Sequence, residues 1–358
     1  MKHTLQDTGE TILRRGDELA ELVTGMQYSL QPDLNRRFGD RGRIKTKQDT
    51  VYNLKYLAQS IQVQSPLLFA NYIQWVKNLL AGYNVTADDL IVNIHCIRDV
   101  LEAELEPEPY AEVTPFLELA LHQVKEPADV HQMPDNDEMG SLARRYTELL
   151  LVGDRLEAGK LVMELVQGQM PVDEIYFHIF QQSQYEIGRL WQANKITIAQ
   201  EHYASAATQM IMSQLYPYIF STARNGYRMV AACVGEELHE IGLRMVSDLF
   251  EMEGWDTYYV GANVPSRSLI QTICDRRPHV LAVSATMTYH VTLVKKLIEE
   301  VRQDPACGGV RIMVGGLPFN IDPELWKHVG ADGYAANAKE GIARAYELVR
   351  AGQPVKNS

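Results

Sequence analysis

Positive charge is in short supply in this chain. Its 358 residues carry 34 Lys and Arg against 46 Asp and Glu, a formal net charge of −12. Binding nucleic acid through its phosphates takes a basic face, so direct contact with DNA or RNA is excluded. Cysteine is scarce as well. Cys96, Cys233, Cys274 and Cys307 are scattered, without the spacing of a metal motif or a disulfide framework. Free thiols fit a reducing, cytoplasmic setting. No apolar run approaches the ~20 residues of a membrane span, and Met1 to Asp7 lacks the apolar stretch of a signal peptide. What is present is a hydrophobic content of 46%, enough for packed cores in two or three domains.

Residues 1–124 read as an all-helical sensory domain. Ile12, Leu13, Leu19, Leu22 and Val23 keep helical spacing between Thr8 and Tyr28. Residues 33–45 are basic, contain glycine and read as a connector. Val51, Leu54, Ala58 and Ile61 form one stripe of a second helix. Ser65, as N-cap, and Pro66, at the first helical position, start a third that runs to Leu80. Thr86 to Asp89 opens a fourth with acidic side chains, and Pro107 and Pro109 separate it from a fifth over 110–124. Tyr52, Tyr56, Tyr72, Trp75, Tyr83, His95 and Arg98 either line an apolar pocket with a few polar groups or fill the core with their hydroxyls at its rim. Cys96 is either a chromophore attachment point or, as is commoner, a buried thiol. Residues 125–139 are acidic, hold two prolines and lack periodicity, so they read as a linker.

Residues 140–222 read as a four-helix bundle with short connections, over 142–152, 154–167, 171–191 and 197–218. Thr197 and Gln200 have capping-box spacing. The reversal at 194–197 brings Trp191, at the end of the third helix, to the same tip as Glu201 and His202 in the first turns of the fourth. These three are either an aromatic lid with hydrogen-bonding partners for a large flat ligand, or a helix-end Trp beside a Glu that stabilises a helix N-terminus.

Residues 226–352 alternate strand and helix. Strands are expected near 228–234, 256–262, 280–285, 311–315 and 333–335, with helices at 240–253, 266–277, 291–303, 322–329 and 339–351. Five such units make a parallel, doubly wound sheet of flavodoxin-like (Rossmann-type) character, and residues 353–358 are expected to fray. Between the first strand and its helix stands Glu237-Leu238-His239-Glu240-Ile241-Gly242. His239 thus lies at the carboxyl edge of the sheet, where open α/β sheets bind ligands. Glu237 can accept a hydrogen bond from one imidazole nitrogen and leave the other as a lone pair for a metal. Gly242 lets a bulky group pass close to the helix start. A surface ion pair of Glu and His has the same spacing. The third strand ends in hydroxyls, Ser284 and Thr286, and the fourth in Gly315-Gly316, which is either room beside a ligand or a tight turn.

These residues resemble the cobalamin-binding domain of methionine synthase, corrinoid methyltransferase proteins and cobalamin mutases. That family's Asp-x-His-x-x-Gly, Ser-x-Leu/Thr and Gly-Gly signatures fall on Glu237/His239/Gly242, Ser284/Thr286 and Gly315/Gly316, with Glu in place of Asp. The resemblance implies that His239 binds cobalt from below and that the nucleotide tail threads between the serine and Gly-Gly strands. Trp191 followed by Glu201-His202 resembles the Trp-x9-Glu-His motif of adenosylcobalamin-dependent photoreceptors. In that family the motif covers the adenosyl group, light breaks the cobalt–carbon bond, and the oligomer changes. Two departures stand out. Gln192 replaces a histidine that binds cobalt after illumination, and residues 1–124 lack the composition of a DNA-binding domain. The helical N-terminus looks more like photocobilins, which add a biliverdin domain. That likeness would place biliverdin against Tyr52, Tyr56, Tyr72, Trp75, His95 and Arg98. The expected protein is a light sensor without an enzymatic domain, a homo-oligomer whose state depends on light, signalling to a downstream protein away from any membrane. The alternative is a corrinoid protein that carries a methyl group between methyltransferases. In a third reading, the helical N-terminus binds a protein partner on a scaffold for which His239 is dispensable.

Overall fold

A computed structural model describes residues 4–127, 133–134 and 137–351. Residues 128–132 and 135–136 of the linker expected at 125–139 lie outside the described residues, and the frayed end expected at 353–358 lies wholly outside them. The chain divides into two compact units. The first gathers Met1–Ala128, Ala285–Glu299 and Leu317–Ala331; the second gathers Asp129–Ser284, Glu300–Gly316 and Asp332–Ser358.

The first unit is built on helices α1 (Leu5–Arg14), α2 (Gly16–Leu30), α3 (Asp33–Gln62), α4 (Pro66–Ala81), α5 (Ala87–Glu104) and α6 (Pro107–Gln123). Capping boxes start α1 at Thr4/Asp7 and α5 at Thr86/Asp89, satisfying backbone donors that helix starts leave open. Ile12, Leu57, Ile61, Phe69, Ile94 and Ile97 are fully buried in its core. A polar chain crosses that core: Tyr72 OH donates to Asn53 Oδ1 at 3.0 Å, Asn53 Nδ2 to Asn93 Oδ1 at 3.0 Å, and Asn93 Nδ2 to Gln27 Oε1 at 2.8 Å. Each link has its partner, which is what makes buried amides tolerable. The connector expected at 33–45 is helical instead. Arg37 pairs with Asp89 at 2.8 Å and donates to the Asn84 carbonyl at 2.9 Å, and the glycine gives only a kink, with Gly39 at φ +58°. Ser65 is the N-cap of α4 and Pro66 its first residue, as expected, but the Ser65 hydroxyl accepts no helix-start N–H and instead donates to Asp322 Oδ2 at 2.6 Å.

The second unit opens with the bundle: α7 (Glu138–Leu151), α8 (Arg155–Gln167), α9 (Val172–Ile175) running through a π turn at Tyr176–Phe180 into α10 (Gln181–Gln192), and α11 (Ile198–Gln214), followed by a short α12 (Tyr216–Ile219). The break after Gln214 shortens the fourth expected helix, and Pro217 in the next turn is its cause. Tyr146, Tyr176 and Phe180 are fully buried at the bundle's centre, in a cluster that takes in Met245 and Leu249.

These last two belong to α13 (Ile241–Met252), the helix that follows β1 (Arg228–Val234). The chain continues through β2 (Asp256–Val264), α14 (Ser266–Arg276), β3 (Val280–Ser284), α15 (Val291–Gln303), β4 (Arg311–Gly315), α16 (Leu317–Ile321), α17 (Leu325–His328), β5 (Gly333–Tyr334) and α18 (Ala338–Ala351). The helix expected at 322–329 is thus reduced to α17, and α16 stands where no helix was expected. All strands pair in parallel in the order β2-β1-β3-β4-β5. That is the flavodoxin-like order, and its switch point, where a crevice opens at the carboxyl edge, lies between β1 and β3. Among the described residues no helix is long and apolar enough to cross a membrane.

Candidate functional site

β1 ends at that switch point in a turn held from several sides. Glu236 takes a left-handed conformation, φ +67°, and its N–H donates to Asn263 Oδ1 at 2.8 Å, while the Asn263 N–H donates to the Glu237 carbonyl at 2.9 Å. The Glu237 side chain is 0% exposed. Its Oε1 accepts the His239 backbone N–H at 2.9 Å and lies 2.6 Å from His239 Nδ1. A carboxylate can only accept there, so Nδ1 carries the proton and Nε2 is left as the lone pair. The His239 side chain is 60% exposed, so that lone pair is on a ring that reaches solvent. The hydrogen bond that the imidazole donates to Glu237 raises its pKa against the lowering effect of burial, and the charges of Glu237 and of Glu201 on α11 add to the rise.

Glu240 joins the two parts of this unit. Its Oε1 accepts from Gln209 Nε2 on α11 at 3.2 Å, and its Oε2 accepts from Tyr259 OH at 2.8 Å and from the Ala262 N–H at 3.0 Å. One turn on, Arg244 donates to the Gln209 carbonyl at 3.2 Å, to Ser213 Oγ at 2.7 Å and to Tyr216 OH at 3.1 Å. Tyr176 OH donates to Asp248 Oδ2 at 2.8 Å. Sequence reasoning missed these residues. They are polar positions on helices and a strand without a shared spacing, and they meet only once α11 and α13 pack. Asn263 is the exception with a signal, since it stands in a Gly-Ala-Asn-Val-Pro segment that closes β2.

At the tip of the bundle, α10 ends by the reversal that the spacing predicts. Asn194 is left-handed at φ +55°, and its N–H donates to the Trp191 carbonyl at 2.9 Å. Thr197 and Gln200 form the expected capping box at the start of α11. Trp191 is half-buried in the last turn of α10. Glu201 Oε2 lies 2.5 Å from His202 Nδ1, and Glu201 Oε1 accepts from Ser205 Oγ at 3.0 Å. The His202 side chain is 72% exposed and that of Glu201 30%, so this pair presents polar groups outward.

Along the sheet edge, Cys233, Ser284 and Gly315 stand side by side in register on β1, β3 and β4. Gly316 is left-handed at φ +101°, as a turn requires, whereas a side chain at Gly315 would meet no more than an ordinary contact. A side chain at Gly242 would meet open space. Thr286 follows Ser284 by two residues and belongs to the first unit.

The aromatic residues of the first unit are partly brought together. Tyr56 stacks on Tyr72, with ring centroids 3.6 Å apart and planes at 9°, and Trp75 lies 6.3 Å from Tyr72. Tyr289 meets the Tyr56 ring edge-on at 5.6 Å. Tyr52 is exposed, and Arg98 pairs with its neighbour Asp99 at 2.8 Å. The Nδ1 of His95 is buried without a hydrogen-bond partner, and burial lowers the pKa of that ring. Cys96 is buried, its thiol pushed up to about 11. A groove of about 420 Å³ in this unit is lined by Asp17, Glu21, Arg43, Lys47 and their neighbours, and by none of these aromatic residues.

Comparison with known proteins places both parts of the second unit. A family model described as a B12 binding domain matches residues 227–343, and a second of that description matches residues 142–216. The dimethylamine corrinoid protein of Methanosarcina barkeri is 28% identical over 194 residues, covering 52% of this chain and 88% of the relative. Monomethylamine corrinoid protein 1 of Methanosarcina mazei is 24% identical over 213 residues, covering 58% of this chain and 96% of the relative. The solved structure of the Methanosarcina barkeri monomethylamine corrinoid protein superposes with a TM-score of 0.53 at 20% identity, over 58% of this chain and 98% of that one. The bundle and sheet domain are therefore a two-part cobalamin-binding unit, and its fold is shared with corrinoid proteins.

Proposed function

We propose that this chain, which carries both parts of a B12-binding unit, holds cobalamin with His239 below cobalt and works through the group on cobalt's upper face. One observation carries the reading: the 2.6 Å contact between Glu237 and His239 Nδ1. It fixes the tautomer that leaves Nε2 as a ligand, on an exposed ring at the switch point, and the carboxylate raises the ligand's basicity. The donor set fits the group, because a corrinoid supplies four nitrogens of its own and His239 Nε2 would supply an imidazole nitrogen to its cobalt. Ser284 and Gly315, in register at the same edge, would flank the nucleotide tail. Trp191, Glu201 and His202 would face the upper side. Bound there, cobalt supplies a bond to carbon that a partner enzyme or light can break.

The relatives support one form of this reading, in which the chain is a methyl carrier serving a methyltransferase system. The relatives named above are dimethylamine and monomethylamine corrinoid proteins, and they cover 52% and 58% of this chain. A second form is favoured by a specific observation at the tip of the bundle. Trp191 in the last turn of α10 and the outward-facing pair of Glu201 and His202 in the first turns of α11 would offer a large upper group an aromatic surface and polar partners. That suits adenosylcobalamin and a light sensor, with the helical first unit, possessing stacked Tyr56 and Tyr72, as a site for biliverdin. In that form Gln192 leaves the histidine-on-both-faces light state without its usual residue.

The test is absorbance of the whole chain loaded with each cofactor form, desalted, then lit with green light. Retention of adenosylcobalamin in the dark, a spectral change on illumination and a far-red band when biliverdin is added would support the sensor. Retention of methylcobalamin alone, discharged by a methyltransferase and its thiol acceptor, would support the carrier. A His239→Ala protein that holds cobalamin with the parent's spectrum would overturn both.

A further inference from the structure

We propose that Cys274, Asp304 and Cys307 form a binding site for one soft divalent cation of the zinc type, remote from His239. Sequence spacing gives no hint of it, since the two cysteines are 33 residues apart. The fold brings them together. Cys274 lies in the last turn of α14, which leads into β3, and Cys307 closes the short 3-10 turn Pro305–Cys307, which leads into β4. Both elements precede their strands, so the cluster belongs to the amino edge of the sheet, whereas His239 follows the carboxyl end of β1.

The geometry and chemistry of the three donors agree. The two sulfurs are 3.9 Å apart, and an Asp304 carboxylate oxygen and both sulfurs all lie within 4.8 Å of one another. Two thiolates on a tetrahedral zinc, each at about 2.3 Å, stand ~3.8 Å apart, so the sulfurs need almost no movement to share an ion. Asp304 is held in place: its Oδ1 accepts the Ala306 N–H at 2.9 Å as cap of the 3-10 turn. Cys307 is buried, and Cys274 and Asp304 are half-buried. In the metal-free cluster these groups oppose one another's ionisation. The Cys307 thiol is pushed up to about 12, first by burial, then by Cys274 and the Asp304 charge. A divalent cation reverses that opposition. On binding, the two S–H bonds break, two sulfur–metal bonds form, and both protons pass to water. Water fills the fourth position. The ion would then pin the end of α14 to the turn that starts β4.

The test uses the reduced, cobalamin-loaded full chain, mixed with zinc, desalted and measured for zinc by plasma mass spectrometry. Alkylation by iodoacetamide, read by peptide mapping, follows each thiol in parallel. About one zinc per chain is expected, with alkylation of Cys274 and Cys307 slowed tenfold or more. Cys274→Ser and Cys307→Ser are expected to lose the zinc, and His239→Ala to keep it. Asp304→Asn retains the cap and so the fold, and is expected to weaken zinc binding about tenfold. The proposal fails if the reduced chain holds no zinc, if the three cluster variants hold as much as the parent, or if Cys274 and Cys307 only pair as a disulfide under an added oxidant while taking up no metal.

Discussion

Glu237 has no exposed surface and gives one carboxylate oxygen to both the backbone and the ring of His239, so its variants separate orientation from charge. Glu237→Gln keeps an acceptor for the ring and is expected to weaken cobalamin retention by less than tenfold. Glu237→Ala frees the ring to turn and is expected to weaken it about 10–100-fold. Equilibrium dialysis followed by cobalamin absorbance measures both, and equal retention by parent and Ala variant would remove the orienting role. Asp248 makes a different case. It is buried, and desolvation first of all raises its pKa to about 6, against lowering by Tyr176 and Arg244 and with a further rise from Glu251. The unfolded carboxyl titrates near 3.9. Between these values the folded state binds more protons, so stability falls as pH rises through about 4 to 6 and is then level. Asp248→Asn still accepts from Tyr176 but has no charge to bury. It is expected to be more stable than the parent by about 1–3 kcal/mol above pH 6, and no more stable below pH 4. Urea unfolding across that range reads the difference. At this scale the sequence shows the Glu-x-His pair, because it interrupts two regular patterns in a row. It cannot show Asp248, whose partner Tyr176 is brought to it by another element.

Elements were legible where their signals are local. The strands of the sheet, the capping box of α11 and the reversal at Asn194 fall where spacing and turn chemistry put them. The helix over 33–45 was not legible, because Arg37 is fixed by Asp89 and Asn84, about fifty residues away. Ser65 stands at the N-cap of α4 as its sequence signal says, but the partner of its hydroxyl, Asp322, is a distant residue that spacing does not show. Packing of α11 on α13 belongs to this scale too, and Arg244 is its chief polar tie. Arg244→Met keeps the apolar stem and removes the bonds to Gln209, Ser213 and Tyr216. A loss of about 1–3 kcal/mol is expected, read as a lower unfolding midpoint. Thr197→Ala, which removes one cap, is expected to cost only about 1 kcal/mol.

At the scale of the whole molecule, the proposed function requires the bundle to respond to the group that cobalt would carry, and linkage says how. A bound group can bias an arrangement of domains only by the difference in its contacts between the two states. The residues able to make that difference are Trp191, Glu201 and His202, at the tip of the bundle, where Glu201 already acts on His239. If the chain is a sensor, these side chains meet the adenosyl group. Trp191→Ala and Glu201→Ala would then weaken adenosylcobalamin about tenfold or more, ~1.4 kcal/mol, and leave methylcobalamin within a factor of about two. If the chain is a methyl carrier, the same residues meet only the corrin face, and both forms weaken alike. Dissociation constants of both forms for parent and variants, taken in the dark, give the ratio. Sedimentation of the adenosylcobalamin-loaded parent before and after green light completes it. A selective loss in the variants together with a light-dependent mass in the parent supports the sensor, since the contacts removed by mutation and those removed by light are then the same. An equal loss with a constant mass supports the carrier, and the first unit then serves a partner rather than a second chromophore.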